Sequence, residues 1–319
     1  MYDVITVGSA IIDAFVNTEN KLFKGKQGHI KVPFGSKILI SDLNFQVGGG
    51  GTNTAVAFSR LGLKTAYLGK VGLGTNSSSI FSLLKKEKVS TDLIIKSNER
   101  TGFSIILDAK GKDRTILKFG GANDNLRFNE IKHSKLRTRW FYFSSMMGRS
   151  LKTLRTLSDY AVKNHIGVMF NPSVYLIKKN KYQVKKILKN CAVTCMNQEE
   201  ADLLVGNNSL EKQLLKLSML GPDIVIITNG KKGVYCYAHH NFYYVKPHHI
   251  KVVETTGAGD AFGSGFLAGY IKKKDIELAL RLGLVNAESI IQHYGAKTNL
   301  LTWKKAKVFL EKRTKIKKW

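Results

Sequence analysis

The stretch Glu254-Thr255-Thr256-Gly257-Ala258-Gly259-Asp260-Ala261-Phe262-Gly263-Ser264-Gly265 brings together groups suited to handling a phosphate. The β-rich run Ile250-Lys251-Val252-Val253 leads into two threonines and then small residues, and an apolar helix follows. At the start of such a helix the N–H groups of Gly257, Ala258 and Gly259 can point into one cavity, where the helix dipole favours an anion. An acid in that place repels any bound phosphate, so Asp260 is costly there unless it does chemistry. The fitting task is that of a general base, taking a hydroxyl proton while the neighbouring amides hold charge on a transferring phosphoryl group. The plainer reading is a glycine-rich helix start in which Asp260 only complements the dipole.

The segment resembles the C-terminal signature of the ribokinase-like (PfkB) carbohydrate kinase family, D-T-T-G-A-G-D, and four further stretches stand in that family's order. Gly48-Gly49-Gly50-Gly51-Thr52-Asn53-Thr54-Ala55, followed by Leu61-Gly62 and Gly69-Lys70-Val71-Gly72, is similar to its N-terminal signature. Asp13, in Gly8-Ser9-Ala10-Ile11-Ile12-Asp13, stands where the family has its sugar-hydroxyl aspartate. Asn197-Gln198-Glu199-Glu200 matches its N-x-x-E motif, and Thr228-Asn229-Gly230-Lys231-Lys232-Gly233 its T-x-G-x-x-G nucleotide loop.

The resemblance implies roles that suit the residue types. Asp13 would accept hydroxyl hydrogens of an acceptor, Gly48 and Gly49 would let the ligand approach the backbone, and Asn53 would both donate and accept. Asn197 and Glu200 would organise Mg²⁺ and phosphates through water, since Mg²⁺ keeps much of its hydration shell. Thr228, Gly230 and Gly233 would line the nucleotide phosphates and ribose, and Asn286 would lie near adenine. Each has a plainer reading: a turn with a helix cap, a surface acid, a capping pair at Asn197 and Glu200, a helix-surface amide at Asn286. The implied reaction moves the γ-phosphoryl of ATP to a hydroxymethyl group of a carbohydrate, with Asp260 as base. The alternatives are a nucleoside kinase of the adenosine or inosine kind and, more remotely, a non-catalytic relative that binds polyanions.

Departures from the family pattern narrow this reading. Glu254 replaces the Asp that opens the signature and helps build a monovalent-cation site in some members, which counts against K⁺ dependence. Gly72-Leu73-Gly74-Thr75-Asn76 departs from the usual G-x-D, and apolar Ile11 and Ile12 stand near the place where ribokinases carry Asn, which weakens ribose as the acceptor.

These residues need a scaffold, and the hydropathy pattern supplies one. Residues 4–8 form a short apolar run ending in glycine, a parallel strand buried on both faces with Asp13 expected at its end. Strands are expected at 65–71, 140–144, 166–171, 192–196, 223–228 and 242–245, and helices at 54–61, 77–88, 151–164, from 264 onward and at 276–293. That alternation predicts a single doubly wound α/β domain over residues 1–319, with a mostly parallel sheet flanked by helices. Two patches of alternating polarity, about 16–47 (with strand runs at 37–40 and 43–47) and 101–119 (a hairpin turning at 110–112), predict a small β-sheet lid. Lid strands of this family often pair between protomers, so a homodimer is implied. Residues 304–319 read as a basic amphipathic helix.

No G-x-x-x-x-G-K-[ST] loop is present, and no G-x-G-x-x-G follows the first strand, which disfavours P-loop and dinucleotide enzymes. The pairs His239-His240 and His248-His249 lack carboxylates at metal-ligand spacing, and Trp140-Phe141-Tyr142-Phe143 reads as core strand, not as a stacking platform. Cys191, Cys195 and Cys236 give neither a disulfide framework nor a C-x-x-C, so a reduced cytoplasm is the expected compartment, and the N-terminus shows no signal-peptide pattern. The 319 residues carry a formal charge of +28, with 41 Lys and only 10 Arg. The Lys clusters at 85–88, 178–189, 272–274 and the tail lie outside the motifs, so the charge reads as a surface property, with no specific nucleic-acid or membrane partner expected.

Overall fold

Trp140, Phe141, Tyr142 and Phe143 are all buried, and their alternation explains the architecture. Successive side chains of a strand point to opposite faces. Phe141 and Phe143 accordingly enter one core while Trp140 and Tyr142 enter another. Such a strand must lie in a sheet covered by helices on both sides. The computed structural model describes residues 1–17, 34–108, 115–311 and 314–319.

In chain order the elements of the first half are β1 (Tyr2–Val7), β2 (Ile11–Asn17), β3 (Asp42–Gly48), α1 (Gly50–Arg60), β4 (Thr65–Gly72), α2 (Thr75–Lys86), β5 (Ser90–Ser97), β6 (Gly102–Asp108), β7 (Thr115–Phe119), β8 (Thr138–Ser144), α3 (Gly148–Lys163) and β9 (Gly167–Asn171). The second half adds α4 (Val174–Leu188), β10 (Val193–Asn197), α5 (Gln198–Val205), α6 (Leu210–Ser218), β11 (Ile224–Thr228), β12 (Val234–Ala238), β13 (Asn241–Val245), α7 (Ala258–Lys273), α8 (Ile276–Ile291), α9 (Trp303–Glu311) and β14 (Ile316–Lys318).

The large sheet runs β14-β13-β12-β11-β10-β9-β8-β1-β4-β5. It is parallel from β11 to β5, with β12, β13 and β14 added antiparallel at one edge. Helices α3 to α6 supply apolar residues to one face, among them Leu154, Ile187, Leu204 and Leu214. Helices α1, α7, α8 and α9 cover the other through Phe58, Phe266, Leu280 and Ala306. The strand order reverses between β1 and β8, which pair in parallel. Ligands of open α/β sheets sit at the carboxyl ends of strands flanking such a reversal. Gly8 and Ser144 occupy those ends.

From that place the chain steps into a second sheet, β3-β2-β6-β7. Its register puts Gln46, Asp13, Ser104 and Lys118 in one row on one face. The adjacent row, Phe45, Ala14, Ile105 and Leu117, faces the opposite way.

Several boundaries differ from the expectation. Asp13 is not at the end of the first strand: Gly8, Ser9 and Ala10 separate β1 from β2, and Asp13 is the third residue of β2. The lid therefore begins at Ile11 instead of residue 16. Of the two runs expected in the first lid patch, 43–47 lies within β3, the partner of β2, and 37–40 forms no strand. The hairpin turn at 110–112 lies outside the described residues. The basic tail is only partly helical, since β14 follows α9 and pairs with the edge strand β13. No described helix is long and apolar enough to cross a membrane.

Candidate active site

Helices α1 and α7 start beside each other at the carboxyl edge of the large sheet. Gly257 precedes α7 with φ 78°, a left-handed conformation that glycine adopts without strain, and its Cα faces Ala296 so closely that a Cβ would lie 2.7 Å from the Ala296 methyl. The turn places Asp260 in the first helical turn. Asn53, on the facing turn of α1 and 7% exposed, donates from Nδ2 to Asp260 Oδ2 at 2.8 Å. Asp260 Oδ1 faces Gly50: a Cβ on Gly50 would sit 3.4 Å from that oxygen and 2.9 Å from Ser144 Oγ, so only glycine lets α1 approach Ser144 and the carboxylate this closely. Burial raises the Asp260 carboxyl above the ordinary range, and the Asn53 hydrogen bond and the Lys297 charge partly offset it.

Of the three predicted amides, Ala258 N–H is turned back onto Thr255 O at 3.1 Å. Gly257 and Gly259 remain the better candidates for an anion, since amides of a first helical turn have no partner within the helix.

Lys297 is the main omission from the sequence reading. It lies in the connection after α8, and its Nζ donates to Val47 O at 2.6 Å and to Asn53 Oδ1. The proposed site thus contains a cation as well as acids, amides and glycines. Ser144 was also missed. Its Oγ is buried at the end of β8 and has no hydrogen-bond partner among the described residues. Neither carries a motif; Lys297 follows the Gly295-Ala296 pair, and only the fold brings it to Asn53.

On the lid side, the Ser104 hydroxyl donates to Asp13 Oδ1, and Gly48 packs directly against the same carboxylate. Burial raises the Asp13 carboxyl, with the Ser104 hydrogen bond and the charges of Lys297 and Lys118 acting in the other direction. A cavity of about 530 Å³ lined by Leu73, Arg100, Phe103 and Phe119 lies elsewhere: Phe103 and Phe119 share the lid face opposite to Asp13.

On the other side of Asp260, the parallel register of β10 and β11 sets Asn197 beside Thr228. Asn197 caps α5, accepting from Glu200 N at 2.8 Å while Glu200 Oε2 accepts from Asn197 N at 2.7 Å. Glu200 Oε1 accepts from Val174 N at 3.2 Å. The plainer capping role is therefore real for this pair. Burial pushes the Glu200 carboxyl up to about 7, despite the two backbone N–H groups that favour its charged form. Gly230 and Gly233, with φ 50° and 106°, bracket a tight turn after Thr228.

Asn286 does not fit the expected adenine contact. It is fully buried, its Nδ2 donates to Ala261 O at 2.8 Å and its Oδ1 accepts from Leu301 N at 3.1 Å. Both ends of the amide are spent holding α7 to α8 and to the segment that follows. Glu254 is also buried and accepts from Gly295 N at 2.9 Å, tying the signature to the connection that carries Lys297.

No group of three or more His, Cys, Asp or Glu among the described residues could hold a metal ion. The donor set thus fits Mg²⁺ only as an ion held mainly by water and nucleotide phosphates, with Glu200 nearby, a buried carboxylate whose charged form a dication would favour. The arrangement can take a proton from a hydroxyl at Asp260 Oδ1 between a lid carrying a polar row and a nucleotide-side edge.

The chain resembles known proteins along most of its length. Residues 1–303 match the pfkB family carbohydrate kinase profile. An uncharacterized sugar kinase of Archaeoglobus fulgidus is 34% identical over 247 residues, covering 77% of this chain and 98% of that one. A nucleoside kinase of Methanocaldococcus jannaschii is 26% identical over 317 residues, 98% of both chains. The Arabidopsis thaliana ribokinase solved with ribose and ATP superposes with a TM-score of 0.84 over 97% of this chain and 99% of that one, at 21% identity. With its ribokinase-like fold and signature loops at one sheet edge, the chain belongs to the pfkB family of carbohydrate kinases.

Proposed function

We propose that the chain transfers the γ-phosphoryl of ATP to a hydroxymethyl group of a sugar or sugar-like alcohol, with Asp260 as the general base. The observation that carries this reading is the part-exposed carboxylate of Asp260 at the start of α7, held through Oδ2 by Asn53 with Oδ1 on the side of the side-chain-free Gly50. An acceptor hydroxyl there gives its proton to Asp260. Its oxygen bonds to the γ-phosphorus as the bond to the β–γ bridging oxygen breaks, and ADP leaves. The Gly257 and Gly259 amides and the α7 dipole hold the transferring group. Asp13, with Gly48 and Gly49, binds other acceptor hydroxyls. Asn197, Thr228, Gly230 and Gly233 form the nucleotide side. Mg²⁺, when bound, neutralises charge between the β- and γ-phosphates. Closure of the lid excludes water, which otherwise competes as acceptor.

A nucleoside is the second acceptor class. Phe15 stands two residues beyond Asp13 on the same lid face, an aromatic side chain suited to stack on a base. The relation to the M. jannaschii nucleoside kinase favours the same reading. A screen of sugars, sugar acids, sugar phosphates and nucleosides, scored by ADP release, separates the classes. In parallel, Asp260→Asn is expected to lower kcat roughly 10²- to 10⁴-fold while ATP still binds. Near-normal turnover by this variant defeats the assignment.

A further inference from the structure

Asn53 hydrogen-bonds to Asp260 with one end of its amide and to Lys297 with the other. The Asn53 amide has one donor end and one acceptor end. Because an ammonium can only donate, Lys297 fixes the orientation: Oδ1 must face Nζ, and Nδ2 must then face the carboxylate. A second donated bond, to Val47 O at the end of β3, ties the lysine to the lid strand that runs into Gly48. The backbone of Lys297 is held as well, since Arg60 Nη1 donates to its carbonyl at 3.0 Å.

We propose that Lys297 is a positioning residue for phosphoryl transfer: its ammonium aims Asn53 at Asp260 and balances the negative charge of the base. This rests on the reading of Asp260 as base. The charged groups around the chain of contacts are few. Asp13, Asp260 and Glu87 favour the ammonium and Arg60 opposes it. Tyr142 and Glu200 feel the Asp260 charge from β8 and α5, and Asp13 is faced by Lys118 and Glu254. Lys297 is the cation that acts on both aspartates. Without it Asp260 keeps the desolvation that raises its proton affinity and loses the main opposing charge. Desolvation has also brought the lysine itself down to about 8, so the ammonium is lost on the alkaline side of neutrality.

The test is the pH dependence of kcat/KM for the full chain and for Lys297→Gln and Lys297→Met, with ATP binding measured for each. Both variants are expected to move the acid limb upward by about one unit or more, lowering kcat/KM about 10-fold or more at pH values below that limb. Both should also lose the alkaline limb expected near 8 for the unaltered enzyme. Gln can still donate to Asn53 Oδ1, so its plateau should exceed that of Met. An acid limb that coincides with the unaltered enzyme's in either ATP-binding variant overturns the proposal. So does an unaltered enzyme with no alkaline limb between pH 7 and 9, a result that does not depend on either variant folding. Asp260→Asn separates the two levels of inference: an active D260N removes the base itself, whereas an inactive D260N with unshifted Lys297 profiles removes only the lysine's role.

Discussion

Glu200 shows how one residue can serve both fold and site. Its two carboxylate oxygens satisfy the amides of Asn197 and Val174, closing the start of α5 and tying in the first residue of α4. The N-x-x-E spacing was legible because a capping pair is local, three residues apart on one helical turn. Lys297 was not legible: it meets Asn53 across 244 positions, and nothing in its surroundings marks it among 41 lysines. Asn286 was misread for a related reason, since helical spacing alone does not show which face α7 covers. The Glu200 carboxyl, pushed up by burial to about 7, lies above its unfolded range near 4.5. Its folded-state contribution is therefore complete below about pH 4.5 and is lost as pH rises through 7, by roughly 3 kcal/mol at most. Denaturant unfolding between pH 5 and 8 should show stability falling more steeply for the unaltered chain than for Glu200→Gln. Parallel pH profiles for the two proteins would contradict this.

At the scale of elements, the parallel strands and the longer helices were readable because each is a buried apolar run or a 3.6-residue pattern. The transfer of Asp13 to a different sheet was not. Val4 to Ile12 contains only small, apolar or hydroxyl side chains, so the break at Gly8-Ser9-Ala10 leaves no mark in hydropathy. The break lets β2 leave the sheet of β1 and carry Asp13 on the lid, while Asp260 stays on α7 of the main domain. The start of α7 is the fixed half of that pair, and it depends on Gly257. Gly257→Ala puts a Cβ at φ 78° and 2.7 Å from the Ala296 methyl. Strain of this kind costs about 1–3 kcal/mol. Thermal unfolding should shift down by several degrees, and kcat should fall by about tenfold or more as Asp260 and the Gly259 amide move from the acceptor. Unchanged kcat alongside a lowered Tm would show that the turn supports the helix but not the chemistry.

For the whole molecule, the charge of +28 divides into two parts of unequal consequence. Most of the described lysines lie on the surface, in runs such as Lys85, Lys86 and Lys88, where they can raise the local concentration of an anionic nucleotide. Two described lysines are drawn inward: Lys70, buried and paired with Glu130, and Lys297, whose ammonium reaches Asn53. The lid has the opposite imbalance. On the face away from Asp13, the row Phe45, Ala14, Ile105 and Leu117 continues into Leu43 and Phe119, and Leu43, Phe45, Leu117 and Phe119 are all exposed. Apolar side chains gathered on one sheet face lose stabilisation in water that a covering surface restores. We propose, from the family resemblance, that the lid of a second copy covers this face. The chain should then sediment as a dimer at micromolar concentration, and Phe45→Lys combined with Leu117→Lys should yield a folded monomer. Each lysine would place a charge on an apolar contact without touching the row that carries Asp13. Sedimentation of the unaltered chain as a monomer would rule out the dimer, and a dimer that survives both substitutions would move the interface elsewhere.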